Sequence, residues 1–232
     1  SKHGHLLPGT QITSLQRLPS GSLQASLTDG VILEVDQVLM ATGRAANVDG
    51  LGLENTKVRL TESGHIEVDN LFRTADRSIL ALGDVVGRLA LTPVALAEAM
   101  LIVNQLFGDG SREPSYTNVP TAVFSHPNLA TVGLTETQAR TQVAELAVYE
   151  TDFRHLRHTL SGRDERTYMK VLVDVATDKV LGMHMLGTDA GEIIQGFAAA
   201  MTCGVTKAQL DATIGIHPTA AEEFVTLRTR SR

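Results

Sequence analysis

A polar segment rich in glycine divides this chain of 232 residues into two regions. Residues 108–114 read GDGSREP, and glycine and proline are the residues that most strongly interrupt regular secondary structure. Apolar patterns typical of strands and helices lie on both sides of the segment. Because such segments commonly separate domains, we predict a domain boundary here and a fold built in two parts.

The region before the boundary begins with a predicted β-meander. Three runs suited to strands, at 11–18, 22–27 and 31–40, are separated by the turn sequences Pro19-Ser20-Gly21 and Thr28-Asp29-Gly30. Runs of this kind with turn residues between them are typical of antiparallel strands. We therefore expect three consecutive strands joined by tight turns.

Two junctions between an apolar run and a loop follow the meander. Gly43 comes after the apolar residues 38–40, and a glycine there lets the backbone approach a ligand closely. The run 79–82 ends in Gly83-Asp84 and predicts a strand buried in a parallel sheet. At the end of such a strand Asp84 can accept hydrogen bonds from sugar hydroxyls. An aspartate in an ordinary turn is the alternative.

The next pattern predicts a helix from Val94 to Phe107. Thr92 is expected as its N-cap and Pro93 in its first position. The N–H groups at the start of a helix lack partners within it. We therefore expect this helix start to be available to an electron-rich ligand atom.

The region after the boundary has the pattern of an α+β domain with a half-buried antiparallel sheet. Strands are predicted at 121–124, 129–132, 147–153, 168–175 and 179–186, the last two joined by the turn Ala176-Thr177-Asp178. Helices are predicted from the cap residue Thr135 to about 143, and at 189–202, 207–211 and 220–227.

The residues from His217 to Glu223, HPTAAEE, form a compact unit that suits acid/base chemistry. Proline disfavours the helical conformation for the residue before it, so the histidine is expected on extended backbone directly before a helix start. A carboxylate turning back onto the imidazole would fix its tautomer and prepare it to exchange a proton near neutral pH. The alternative is a capping box between Thr219 and Glu222, which stabilises a helix and catalyses nothing.

Composition argues against several classes of function. The formal net charge of −6 disfavours a broad phosphate-binding surface, so nucleic acid is not expected as a partner. No apolar stretch approaches the roughly 20 residues that span a bilayer, and neither export nor membrane insertion is expected. The single cysteine, Cys203, lies in an apolar helical stretch and is expected to be an inert core thiol. This usage of cysteine fits a cytoplasmic protein.

A metal site is a further alternative. His155 and His158 are three residues apart and could join His217 and Glu222 as ligands. Arginines surround the first two, Arg154 among them, and their positive charge would repel a cation. We therefore expect no bound metal.

Taken in order along the chain, these motifs resemble the flavin-dependent pyridine nucleotide-disulfide oxidoreductases of the glutathione reductase type. The resemblance runs from end to end of the chain. The motifs that carry it are ATGR at 41–44, Thr74 with ILALGD at 79–84, LTPVA at 91–95, VPTAVFS at 119–125, VGLT at 132–135, IHPT at 216–219 and EEFVTLR at 222–228.

The resemblance implies a division into three parts. Residues 1–45 would be the end of an NADPH-binding domain, and residues 46–113 a second segment of an FAD-binding domain. Residues 114–232 would form an interface or dimerisation domain with an antiparallel sheet and helices. The implied fold class is thus α+β, preceded by partial α/β nucleotide-binding segments.

The resemblance also implies cofactor contacts. Asp84 would hold the ribityl chain of FAD, and Thr92 with the helix after it would lie beside the pyrimidine end of the flavin. Ala90 and Ala122 match positions that contact NADPH in the family. Gly43 completes the implied cofactor-binding set.

For the substrate, the resemblance implies glutathione disulfide. His217 would protonate the thiolate of the first glutathione released, and Glu222 would hold the imidazole. Phe124, Thr219 and Glu223 match positions near the bound disulfide. In this family the histidine acts in the site of the partner subunit, so a homodimer through the interface domain is implied.

The chain also departs from the family pattern. It has no Gly-rich FAD fingerprint followed by a Cys-x4-Cys pair and no Gly-rich NADPH motif; Gly50 and Gly52 begin a similar spacing, but Asn55 stands where the third glycine belongs. Met100 replaces an arginine that contacts glutathione in some members. We therefore predict the C-terminal portion of such a reductase, inactive alone. A non-catalytic self-associating domain and a related disulfide reductase with another substrate are the alternatives.

Overall fold

The computed structural model describes residues 4–111 and 115–232. The chain forms two compact units, residues 1–113 and 114–232. The boundary predicted at 108–114 includes residues 112–114, which lie outside the described residues, so its position stays a prediction.

The first unit opens with a three-stranded antiparallel sheet in the order β1-β2-β3. The strands are β1 (Ile12–Arg17), β2 (Leu23–Leu27) and β3 (Ile32–Val35). The predicted meander is confirmed. Its third strand ends at Val35 and not at Met40, because Val35 already pairs with Leu23, the first residue of β2.

The run 79–82 does not form the parallel strand predicted for it. Leu80 makes an isolated antiparallel bridge with Arg73, and the Ala81 N–H donates to the Phe72 carbonyl at 3.1 Å. The run therefore pairs with the chain just before it, whereas a parallel pair requires a crossover of a dozen or more residues. A 3-10 turn, Gly83–Val86, follows directly.

The predicted helix is confirmed as α1 (Thr92–Phe107), but its cap is not Thr92. Leu91 is extended and is the N-cap, and its carbonyl accepts from the Val94 N–H at 3.0 Å. The first turn is thus closed by the residue before Thr92, which makes Thr92 helical. Pro93 lies in this turn, where its missing N–H costs nothing.

In the part of the chain that the structure describes, the second unit is an α+β domain with a sheet in the order β4-β5-β8-β7-β6, every neighbouring pair antiparallel. Its strands are β4 (Thr121–Val123), β5 (Leu129–Gly133), β6 (Leu146–Phe153), β7 (Thr167–Asp174) and β8 (Val180–Leu186). Its helices are α2 (Glu136–Gln142), α3 (Leu156–Ser161), α4 (Ala190–Thr202), α5 (Lys207–Ala212) and α6 (Glu223–Thr226). The predicted strands are confirmed, each end within one residue. Helix α3 was not predicted, and α6 begins at Glu223 and not at Ala220.

Helices cover both faces of this sheet. Side chains alternate along β7, so Val171 packs in the cluster that includes α4, whereas Leu172 packs with Ala139 of α2 in a second cluster. Both β7 side chains are fully buried. The predicted half-buried pattern holds at Tyr168 and Lys170, which are only partly buried, whereas α2 covers the same face at Leu172.

An ion-pair network holds Arg232 against this unit. Its guanidinium lies 2.7 Å from a Glu136 carboxylate oxygen and also pairs with Glu150, and the Lys170 ammonium contacts both carboxylates. The hydrogen bonds from Arg232 and then Arg140 hold the pKa of Glu136 well below its usual range. This stabilisation is present above the unfolded carboxyl pKa and is lost as the pH falls through the lower folded one.

Close packing of β5 on β8 sets a testable limit at Gly133. Its φ is +80°, and a Cβ there would lie 2.3 Å from the Leu181 carbonyl oxygen. We expect Gly133→Ala to lower the free energy of unfolding by about 3 kcal/mol, since a positive-φ cost and an overpacking cost add. Gly204→Ala is the matched control, because Gly204 has a φ of +74° but open space around it; about 1 kcal/mol is expected there. The free energies of unfolding are measured by urea denaturation, and an equal decrease in the two variants would contradict the role of close packing at Gly133.

Candidate active site

The loop between α5 and α6 carries the candidate acid/base residue, His217. The His217–Pro218 peptide is cis. On the C-terminal side of the loop, Ala220 and Phe224 are buried. The ring centroid of Phe224 lies 4.9 Å from that of Phe197 in α4. The histidine therefore stands on a loop that is anchored in the core.

One carboxylate joins the helix start to the imidazole. Glu222 Oε1 lies 3.0 Å from His217 Nδ1 and accepts the Thr219 N–H at 3.2 Å. In return, the Glu222 N–H donates to Thr219 Oγ1 at 3.2 Å. The reciprocal hydrogen bonds expected of a capping box therefore close the turn before α6, whose own N-cap is Glu222, and the same carboxylate also contacts the imidazole.

This arrangement assigns the protons of His217. An ionised carboxylate only accepts hydrogen bonds, so Nδ1 carries a hydrogen and donates it to Glu222. The His217 side chain is 76% exposed, whereas that of Glu222 is 16% exposed. With Nδ1 held, the ring can take up and release a proton at Nε2.

Thr219 and Glu223, both predicted near the substrate, lie on either side of Glu222 in the sequence. Thr219 shares the Glu222 carboxylate with His217, and its hydroxyl donates to the Ile216 carbonyl at 2.8 Å. The Glu223 carboxylate instead lies 3.5 Å from the Thr226 hydroxyl of its own helix, whose nearest acceptor is the Glu222 carbonyl oxygen at 3.2 Å. The structure thus brings Thr219, and not the Glu223 carboxylate, into the His217 hydrogen bonds.

Ala122 lies in β4, and Phe124 directly follows this strand. Ala122 packs partly buried against the core, whereas Phe124 is 85% exposed. Both lie beside Gly191 in the first turn of α4, where a Cβ would be 3.5 Å from Ala122 and 3.9 Å from the Phe124 ring. An exposed aromatic ring of this kind is available to a partner molecule.

In the first unit, two of the predicted cofactor motifs meet at Asp84. Arg44 Nη2 lies 3.5 Å from Asp84 Oδ2, which brings the motif containing Gly43 beside the motif containing Asp84. The two side chains are 82% and 47% exposed, so the pair adds little to stability. The Asp84 carboxylate consequently remains accessible.

Ala90 and Thr92 are exposed at the start of α1. Within the described residues, no side chain caps this helix, so N–H groups of its first turn remain for an external acceptor.

The sequence patterns missed one residue near Asp84. Glu98 of α1 is only 2% exposed, and its Oε2 accepts the Gly83 N–H at 2.6 Å. It lies on the buried face of the helix between Val94 and Ile102. A charged residue in the middle of an apolar helix face was the signal that could have found it.

Two further predictions concern other side chains. Cys203 is exposed and not in the core, because it is the C-cap of α4 and lies beyond the buried helix face.

Among the described residues, no three potential metal ligands cluster. His158 instead lies 3.6 Å from Glu165 and packs edge-on to the His155 ring. Nor does any described helix have the length and hydropathy to cross a membrane.

Family models match both parts of the chain. Residues 119–228 match the dimerisation domain of the pyridine nucleotide-disulphide oxidoreductases, and residues 5–99 match the model named for the same oxidoreductases. The chain belongs to this family.

Relatives confirm the predicted resemblance to the glutathione reductase type. Glutathione reductase of Burkholderia cepacia is 47% identical over 222 residues, which are 96% of this chain and 49% of the relative. Trypanothione reductase of Trypanosoma congolense is 40% identical over 92% of this chain and 44% of its own length. The HOCl-induced flavoprotein disulfide reductase RclA from Escherichia coli superposes with a TM-score of 0.83 at 30% identity, over 94% of this chain and 50% of that chain. The chain therefore spans about half the length of the curated relatives it matches.

Removal of the Glu222 carboxylate should change which His217 nitrogen carries the proton. We expect neutral His217 to be protonated at Nδ1 in the wild-type chain and in Glu222→Gln, whose amide oxygen still accepts, and mainly at Nε2 in Glu222→Ala. Nitrogen-15 shifts of the ring measure the tautomer. Glu223→Ala is the control and should keep the proton on Nδ1. The same tautomer in all four proteins would contradict the role of Glu222.

Proposed function

We propose that this chain is the C-terminal portion of a glutathione-disulfide reductase, which converts glutathione disulfide, NADPH and a proton into two glutathione molecules and NADP⁺. The observation that carries the proposal is the Glu222 carboxylate held 3.0 Å from His217 Nδ1 on a domain of the dimerisation type. The 47% identity to the Burkholderia cepacia glutathione reductase supports the substrate. Members of the family use FAD and NADPH, and we propose both for the whole protein.

His217 would act as the proton donor to the leaving thiolate. A thiolate attacks glutathione disulfide, its S–S bond breaks, a mixed disulfide forms, and one glutathione leaves as a thiolate. Nε2 of the imidazolium gives its proton to that sulfur, while Glu222 stabilises the charged ring through Nδ1–H. The attacking cysteine would come from outside this chain, which contains Cys203 alone.

The proposal includes a homodimer through residues 114–232, in which His217 serves the site of the partner subunit. The match to a dimerisation domain at 119–228 supports it. Two apolar residues near the histidine also support the dimer, since Ile214 is 94% exposed and Ile216 is 77% exposed. Association would remove this apolar surface from water.

The residues present fit FAD in two respects. Asp84 offers an accessible carboxylate beside the Gly43 motif, and α1 begins at Thr92 without a side-chain cap among the described residues. We propose that Asp84 accepts hydrogen bonds from the ribityl hydroxyls and that Thr92, at the positive end of α1, lies by the flavin pyrimidine. Ala90 and Ala122 would border NADPH. When bound, the flavin passes electrons from NADPH towards the disulfide.

Substrate identity is the part of the proposal with a second candidate. Phe124, Thr219 and Glu223 would contact the bound disulfide, but Met100 stands where some members have a glutathione-binding arginine. Because a trypanothione reductase is 40% identical to this chain, a related reductase acting on another disulfide is the second candidate. For the whole protein we propose a cytoplasmic location, in keeping with the single cysteine of this chain.

A chimera tests the catalytic role of His217. This chain replaces the matching half of the Burkholderia cepacia glutathione reductase, which contributes the rest of the family fold. We expect NADPH-driven reduction of glutathione disulfide, and a loss of about 10²- to 10⁴-fold in kcat in His217→Ala. The flavin absorbance should be unchanged, and His5→Ala, which alters a histidine of the first unit, should retain activity.

Two results would redirect the interpretation of that chimera. If it binds flavin and accepts electrons from NADPH but His217→Ala keeps full activity, the proposed role of His217 is wrong. Faster turnover of trypanothione disulfide than of glutathione disulfide would favour the second candidate.

The chain on its own is expected to self-associate but to be inactive. Electrons from NADPH need a cysteine pair, and this chain has one cysteine. Sedimentation measures the association, and NADPH consumption in the presence of FAD and glutathione disulfide measures the activity. Reduction of glutathione disulfide by the pure chain would contradict the proposal. If the chain forms dimers but the chimera that contains it has no reductase activity, the alternative of a non-catalytic interface domain would be favoured.

A further inference from the structure

Helix α1 carries a carboxylate in the middle of its buried face. Val94, Glu98 and Ile102 are four residues apart and are the buried residues of the helix. Glu98 is 2% exposed, the least of the three. Burying a carboxylate is costly unless hydrogen bonds replace its hydration, so this residue needs a structural partner.

The loop before Asp84 provides that partner. The Gly83 N–H donates to Glu98 Oε2 at 2.6 Å. Gly83 is the first residue of the 3-10 turn 83–86, and an N–H at the start of a helical turn has no acceptor within it. Glu98 therefore satisfies a backbone donor that would otherwise be left without an acceptor in the turn.

A second contact fixes the same loop on α1. A Cβ built on Gly83 would lie 3.1 Å from the Ala95 Cβ, so the backbone here approaches the helix closely. Ala95 and Glu98 are three residues apart and lie on the same side of the helix. The loop is thus held by packing at one point and by a charge-assisted hydrogen bond at the other.

Asp84 follows Gly83 directly, and its side chain is 47% exposed. We propose that Glu98 is a positioning residue, which orients the Asp84 carboxylate toward the FAD ribityl chain by holding the Gly83 N–H; this rests on the proposed function. Because Glu98 and Thr92 belong to one helix, the same bond sets the distance between the Asp84 carboxylate and the start of α1. An apolar residue at position 98 would fill the space but leave the loop without this anchor.

The experiment compares two variants of matched size in the full 232-residue chain. Glu98→Gln keeps an acceptor for the Gly83 N–H, whereas Glu98→Met removes it. Hydrogen exchange of the Gly83 amide is measured relative to that of Ala81, whose N–H donates to Phe72, so that global destabilisation cancels. We expect about tenfold faster relative exchange in Glu98→Met and little change in Glu98→Gln. Ile102→Ala, on the same buried face, should destabilise the chain without changing this ratio.

FAD is then titrated into the FAD-free form of the chimera described above, carrying the same substitutions, and binding is followed by the quenching of flavin fluorescence. We expect the FAD affinity to fall about tenfold in Glu98→Met and to be retained in Glu98→Gln. Rescue by the conservative variant would distinguish positioning from simple loss of stability, which Ile102→Ala also causes.

Failure of the inference and failure of the proposed function give different results. Unchanged Gly83 exchange in Glu98→Met, or equal FAD affinities in the two Glu98 variants, would overturn the positioning role while the proposed function stands. An Asp84→Ala chimera that binds FAD as tightly as the wild-type chimera would overturn the flavin role of Asp84 and the positioning role with it, even if the exchange data behave as expected.

Discussion

Backbone N–H groups at the start of a helical turn have no acceptor within it, and two glutamates of this chain meet that need. Glu222 accepts the Thr219 N–H before α6, and Glu98 accepts the Gly83 N–H before the 3-10 turn. In each unit the acceptor lies beside the side chain proposed to act. One hydrogen bond therefore both stabilises the backbone and orients a functional group.

The packing of each unit fixes the direction of these hydrogen bonds. In the second unit, α6 buries Phe224 against Phe197 of α4, and α4 in turn packs on the sheet. In the first unit, Glu98 lies in the buried face of α1. Because protein cores are close-packed, a side chain attached to such elements has few alternative positions. The imidazole of His217 is exposed, but the carboxylate that orients it is not.

Much of the second unit could be predicted from the sequence because its signals are local. The capping box of Thr135 and Gln138 begins α2 as expected, and the apolar patterns located the five strands within one residue at each end. Predictions that depended on a partner distant in the sequence were wrong. The run 79–82 has the composition of a buried parallel strand, but the strand beside it decides its pairing, and that neighbour is the antiparallel segment around Arg73. Cys203 was wrongly predicted to be buried, because apolar composition does not show which end of a helix lies outside the core.

The sequence by itself determined the family motifs, the succession of strands in the second unit and the neighbourhood of His217 and Glu222, which are five residues apart around a turn. Only the tertiary structure decided which oxygen faces which nitrogen, and that this carboxylate also closes the helix start. It alone placed Glu98 on Gly83 and brought Arg44 to Asp84. Such contacts join segments far apart along the chain, and their geometry follows from how helices and loops pack rather than from any periodicity in the residues themselves.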